Sequence, residues 1–258
     1  MPSPIFKIYP YRPKSAGARN LSIALSERTG YDVERISSGY VIQSNEWIIN
    51  WGSGYFDARP TPGASNVRVF NSKKAVCLCI NKIDFFKELK DRVNLPNWTL
   101  NKNIALAWAA SGALVYCREN IEGKDGDGIL VVSKKADVVD CPLYTQGVEA
   151  DKEYRVHLFG HVPIFDLEKY HPDNDTKTQV RSGKMGWHYT RDTVVPEKAK
   201  QQAIEVSKCL KMDFVAVDLL YNTKTKKATV LEANTAPELG PWTRVAYAKC
   251  FTRLLKGE

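Results

Sequence analysis

The sequence predicts an α+β chain, built from antiparallel strand pairs with amphipathic helices laid against them. Three strand–turn–strand segments carry that prediction. Residues 114–118 and 129–133 are apolar strands flanking a glycine-rich loop. Residues 153–159 and 161–165 form a hairpin turning at Gly160, and residues 214–221 and 228–234 flank the polar turn 222–227. The 258-residue chain is 43% hydrophobic and 26% charged, the composition of a folded globular protein. No apolar run is long enough to span a membrane and no signal-peptide core stands at the start, so a cytoplasmic protein without membrane contact is expected.

The elements follow in order. Residues 1 to about 75 read as a small α/β unit: a helix over 15–26 after a proline-rich stretch, and short strands at 40–42 and 47–51. Residues 56–66, rich in Pro, Gly and Ala, read as a loop. Residues 81–90 have the apolar spacing of an amphipathic helix, with Asn81 as its cap. Residues 143–148 form a short apolar-to-polar segment, and 166–191, dense in charge, read as loop. A helix over 197–210 places Ala203, Val206, Cys209 and Leu210 on one side.

The last of the strand pairs carries the chemistry. A hairpin centred near Thr225 sets Asp218 opposite Glu232, with Cβ atoms about 5 Å apart. Asn234, two residues on, shares the face of Glu232. Two carboxylates brought together need a cation or proton between them. Two carboxylates and an amide oxygen suit a hard ion such as Mg²⁺, or Mn²⁺, and Mg²⁺ held by few protein ligands usually also holds substrate phosphates. The other reading of this set is a polar sheet face in solvent. Against it, Leu231 and Ala233 alternate with the polar residues, and a structured exit, 234–240, follows.

The loop 123–128 has glycines at Gly123, Gly126 and Gly128 that can turn backbone N–H groups toward an anion, and Lys124 adds charge. It is no Walker loop, since no G-K-[ST] follows, and no EF-hand, since the twelfth loop position is Ala136. An ordinary flexible hairpin loop is the competing reading. Glu153, Arg155 and His157 project from one face of their strand, as a solvated face or as the polar wall of a nucleotide site. Six scattered cysteines without a C-x-x-C pair read as reduced core thiols. The four histidines lack metal-ligand spacing, and the six tryptophans do not form a stacking platform. A net charge of +8 fits a basic surface or an acidic partner such as nucleotide, nucleic acid or acidic peptide.

Four motifs in order resemble the ATP-grasp superfamily over roughly residues 80 to 250, especially small phage-carried ATP-grasp proteins and the glutamate-ligase branch. They are the helix start Asn81-Lys-Ile-Asp-Phe-Phe, the pair Val115-Tyr-Cys-Arg118 and Gly123-Lys-Asp-Gly-Asp-Gly, the strand Glu153-Tyr-Arg-Val-His-Leu-Phe, and Asp218-Leu-Leu with Glu232-Ala-Asn-Thr-Ala-Pro. The resemblance implies an ATP-grasp fold, two α/β lobes clamping ATP behind a reduced N-terminal unit. The units would be 1–78, 79–143 with the lid, and 144–258 with the Mg²⁺ site. It implies that Asp218, Glu232 and Asn234 hold Mg²⁺, that Arg118 contacts ATP phosphates and that Gly123 to Gly128 cover them. Gln146, Gly147 and Val148 would hold adenine and Glu153 the ribose, while Arg155 and Lys184 would contact phosphate or an acyl phosphate. The implied activity is a carboxylate–amine ligase, ADP-forming, acting on a small molecule or peptide, in the host cytoplasm if phage-encoded. An ATP-grasp kinase, or a nucleic-acid or peptide binder with a vestigial ATP site, are the alternatives. Relatives often carry Gly where this chain has Glu238.

Overall fold

The computed structural model describes residues 3–123, 126–173 and 180–257. The N-terminal unit is built on a parallel sheet in the order β1 (Ile5–Pro10), β3 (Glu46–Trp51), β5 (Arg68–Phe70), beside the short pair β2 (Val41–Ile42) and β4 (Arg59–Pro60). Helix α1 (Ala16–Thr29) begins where Ser15 Oγ accepts the Ala18 N–H at 3.3 Å, and ends at Gly30, whose φ of 78° closes the last turn. Helices α2 (Lys73–Ile80) and α3 (Lys82–Leu89) follow, the second capped as expected by Asn81, whose side chain accepts from Ile83 and Asp84.

The next sheet is antiparallel, in the order β6 (Trp98–Thr99), β9 (Leu143–Gln146), β7 (Val115–Arg118), β8 (Ile129–Val132), with α4 (Lys102–Ala110) packed on it. The largest sheet has five strands. They are β12 (His188–Thr190), β11 (Val162–Tyr170), β10 (Lys152–Phe159), β13 (Phe214–Asn222) and β14 (Lys227–Asn234), antiparallel in that order. One of its faces is buried under α2, α3 and α5 (Glu197–Cys209), through Phe85, Phe86, Ala203 and Val206 against Val156, Val217, Leu219 and Val230. The chain ends in α6 (Pro241–Leu254), whose Tyr247, Ala248 and Phe251 join Phe6, Leu21, Phe70 and Phe214 in a second core. Among the described residues no helix is long and apolar enough to cross a membrane.

A bulge in β14 decides which way the key residues face. From Asn222↔Lys227 to Leu219↔Val230 the hairpin is regular; then Leu231 is inserted, and Asp218 pairs with Glu232. Ala228 and Val230 point into the apolar core, so unbroken alternation would send Glu232 and Asn234 there too. The extra residue switches the parity: Ala233 enters the core, and Glu232 and Asn234 join Asp218 on the opposite face.

Residues 166–170 are not loop, as their charge suggests, but the end of β11, and 188–190 form β12. Their charges are held in ion pairs: Asp166 with Lys200 at 2.7 Å, Glu168 with Lys152 at 2.6 Å and Lys169 with Glu153 at 2.6 Å. The hairpin turn at Gly160 is as expected, with Gly160 and His161 both at positive φ, 56° and 65°. The cysteines are all free, but only Cys79 and Cys117 are buried, and Cys77 is exposed.

Candidate active site

Strand register lays the site out in rows across the open face of the five-stranded sheet. Glu232, Asp218, Arg155 and Leu167 stand side by side in one row. Asn234, Ala216, His157 and Phe165 form the next, and Leu220, Glu153, Lys169 and Tyr189 the one on the other side. The face that alternation marks as charged is thus not a solvated wall. Asp218, Glu153 and His157 are 3%, 5% and 0% exposed.

Arg155 grips Asp218 with two parallel bonds, Nε to Oδ1 at 2.6 Å and Nη2 to Oδ2 at 2.7 Å. Burial works against the guanidinium charge, but the Asp218 carboxylate outweighs it and raises the Arg155 pKa. The Tyr189 ring covers that guanidinium at 4.5 Å, and burial together with Asp218 keeps the phenol protonated. Asn234 Nδ2 donates to Asp218 Oδ2 and to Glu232 Oε1, each at 3.1 Å. The three residues that the hairpin reading singled out are therefore in mutual contact.

Lys82, which the sequence reading left without a role, completes the cluster. It is the first residue of α3, 7% exposed, and its Nζ lies 2.9 Å from Glu232 Oε2. The Lys82 charge holds the Glu232 carboxyl well below the usual carboxylate range, against the effect of burial. A lysine at the first position of a helix opposes the macrodipole, and that local misfit is the one sequence signal that marks it. Arg118 closes the group from β7. Burial lowers its pKa while the nearby Glu232 carboxylate raises it, and its Nε is buried with no hydrogen-bond partner among the described residues.

The remaining expected residues fall in two places. Glu153 is engaged by Lys169 at 2.6 Å and lies 3.9 Å from Arg181. Gln146 and Gly147 connect the two antiparallel sheets: the Gln146 N–H donates to Asn97 O at 2.9 Å and the Gly147 N–H to Leu114 O at 2.8 Å, and half-buried Val148 follows. Gly123, Gly126 and Gly128 belong to a folded turn. A Cβ on Gly128 would lie 2.7 Å from Asn120 Cβ, and one on Gly126 would lie 2.6 Å from Val180 Cγ1. Lys124 lies outside the described residues. Lys184 sits exposed on a 3-10 turn, Gly183–Met185, and among the described residues no hydrogen bond or ion pair ties it to the cluster.

The donor set accommodates a hard cation. Asp218 and Glu232 carry about four lone-pair sites each, and their protein bonds leave some of these open. Turning the Asn234 amide by half a revolution offers Oδ1 in place of Nδ2. Electrostatics favours an anion beside it: Lys82, Arg118 and Arg155 bring three positive charges to two carboxylates, and one buried guanidinium N–H is unpaired.

No family model matches the sequence, and no curated protein is similar to it in sequence. Solved structures do match in three dimensions. The ATP-grasp ligase PsnB, complexed with precursor peptide PsnA2 and AMPPNP, superposes with a TM-score of 0.69 at 12% identity, over 99% of both chains. The D-alanine–D-alanine ligase from Bacillus anthracis gives 0.67 at 13% identity, again over 99% of both. The macrocyclase MdnC from Microcystis aeruginosa, bound with precursor peptide MdnA, gives 0.64 at 12% identity, over 98% of this chain and 99% of that one. The chain therefore has the ATP-grasp fold along nearly its whole length.

Proposed function

We propose that this protein is an ATP- and Mg²⁺-dependent ligase that joins a carboxylate to an amine and releases ADP and phosphate. One observation carries the reading. On the open face of a single sheet, Asp218, Glu232 and Asn234 meet three cationic side chains, one of them with an unpaired buried donor. The same fold in the ligase PsnB, complexed in one structure with Mg and ADP and in another with AMPPNP, supports it.

Asp218, Glu232 and Asn234 would hold the metal, which supplies Lewis-acid neutralisation of phosphate charge when bound. The chain's own residues do the positioning. Lys82 and Arg118 bind phosphate oxygens, and Arg155, fixed by Asp218 and covered by Tyr189, orients the substrate carboxylate. That carboxylate takes the γ-phosphoryl group of ATP and ADP leaves; an amine then adds to the acyl carbon, phosphate departs, and the amine's proton passes to solvent or phosphate. The enzyme contributes alignment and preorganised positive charge rather than a side-chain nucleophile. The glycine turn 123–128 would cover the phosphates, and residues 146–148 would line the adenine.

ADP release from Mg-ATP, measured against pools of amino acids and peptides, tests this. Release that depends on an added acceptor and disappears in Glu232→Ala is the expected result. Release that persists unchanged in Glu232→Ala would overturn the assignment of the site.

A further inference from the structure

The sheet face that holds the cluster continues past Arg155 into a cavity of about 440 Å³. Its size falls within the ~300–1,000 Å³ range of ligand pockets. Arg155 stands at one boundary, Phe165 and Leu167 of β11 line the sheet side, and Glu238, before α6, and Trp242, in its first turn, line the other. Trp242 is 60% exposed although it is the largest apolar side chain there, and Arg191 stacks over its ring at 4.3 Å. A large indole held in place at a cavity wall by a cation is an unfilled contact surface.

Charge selects the occupant. Arg155 is engaged by its two bonds to Asp218, and Arg191 keeps its charge while stacked on the Trp242 ring. Glu238 is the one acidic residue of the lining, and among the described residues it makes no hydrogen bond or ion pair. A carboxylate in this part of the cavity would meet a like charge; an ammonium would meet its complement. Thr190 and Thr243 place hydroxyls in the wall beside the apolar Phe165, Leu167 and Trp242.

We propose that the cavity is the acceptor pocket, which takes a primary amine carried beside a bulky apolar side chain. Glu238 receives the ammonium, and Phe165, Leu167 and Trp242 enclose the apolar body. The proposal rests on the ligase reading for its place in the reaction, since the Arg155 boundary is where the activated carboxylate would lie.

Calorimetric titration of the full chain with three probes tests it: L-phenylalaninamide, N-acetyl-L-phenylalanine and glycinamide. Phenylalaninamide should bind, and the acetylated acid and glycinamide should each bind at least about fivefold more weakly. Glu238→Gln should weaken phenylalaninamide about fivefold, and Trp242→Ala about tenfold, with melting temperatures unchanged. Equal or tighter binding of N-acetylphenylalanine, indifference to Glu238→Gln, or no phenylalaninamide binding by wild-type protein would each overturn it. A parallel Mg-ATP titration separates the two readings. Mg-ATP binding without phenylalaninamide binding sinks the pocket alone, and phenylalaninamide binding without Mg-ATP binding sinks the ligase.

Discussion

Asp218 and Glu232 share a site but not a structural burden. The Asp218 side chain is 4% exposed and, among the described residues, is the carboxylate ion-paired with a nearly buried Arg155, whereas the Glu232 side chain is 35% exposed. Asp218→Ala strands a buried guanidinium and should cost about 3–5 kcal/mol of unfolding free energy. Glu232→Ala also leaves Lys82, 9% exposed, without its counter-charge, but the carboxylate it removes is itself partly solvated, so it should cost less, about 1–3 kcal/mol. Denaturant unfolding of the two variants checks the ordering, and equal losses would contradict it. His157 gives a pH signature. Burial first, then the Arg155 charge, lowers its pKa from 6.5 to about 3, so the folded protein keeps it neutral. The unfolded chain binds that proton below about pH 6.5, so stability falls as pH drops from there towards about 3, by up to ~1.4 kcal/mol per pH unit. In His157→Gln this component of the slope should vanish from melting curves taken across that range; an unchanged slope would contradict the assignment. At this scale the sequence was partly legible. Asp218, Glu232 and Asn234 were found because all three lie on one hairpin, where register alone sets distance. Lys82 was not, because its contact with Glu232 spans 150 residues and its local signal, a cation at a helix start, does not name that partner.

At the scale of elements, the bulge at Leu231 is the feature on which the site depends. Deleting Leu231 restores regular alternation and drives Glu232 and Asn234 into the layer under α5. An ionised carboxylate there has no partner, so the variant should unfold at a markedly lower temperature or fail to fold. A melting temperature close to wild type would show that the strand relocates the bulge, against this account. The hairpins, the Asn81 cap and α5 were readable because each is a local pattern. The second half of β11, 166–170, was not, because its charge mimics a loop until the partners Lys152, Glu153 and Lys200 are supplied from elsewhere. Helix α6 was blurred for the opposite reason. Its buried residues Thr243, Tyr247, Ala248 and Phe251 are interleaved with exposed Trp242 and Val245, which breaks the apolar stripe.

Across the whole molecule, the N-terminal unit is held to the segment that follows the Asp218, Glu232 and Asn234 cluster by close contacts. Asn20 Nδ2 donates to Leu239 O at 2.8 Å, and a Cβ on Gly52, whose φ is 78°, would lie 2.6 Å from Ala236 Cβ. Gly52→Ala should cost about 1–3 kcal/mol and raise hydrogen exchange in β3 and in residues 235–239 together. Exchange that rises in only one of the two would uncouple them. The central claim is that these parts converge on one Mg²⁺-dependent ATP site. Calorimetric titration of ATP with and without Mg²⁺, on wild type and Glu232→Ala, tests it most directly. The account predicts Mg²⁺-dependent binding in wild type that Glu232→Ala abolishes or weakens at least about tenfold, with the variant still folded. ATP binding indifferent both to Mg²⁺ and to Glu232 would contradict it.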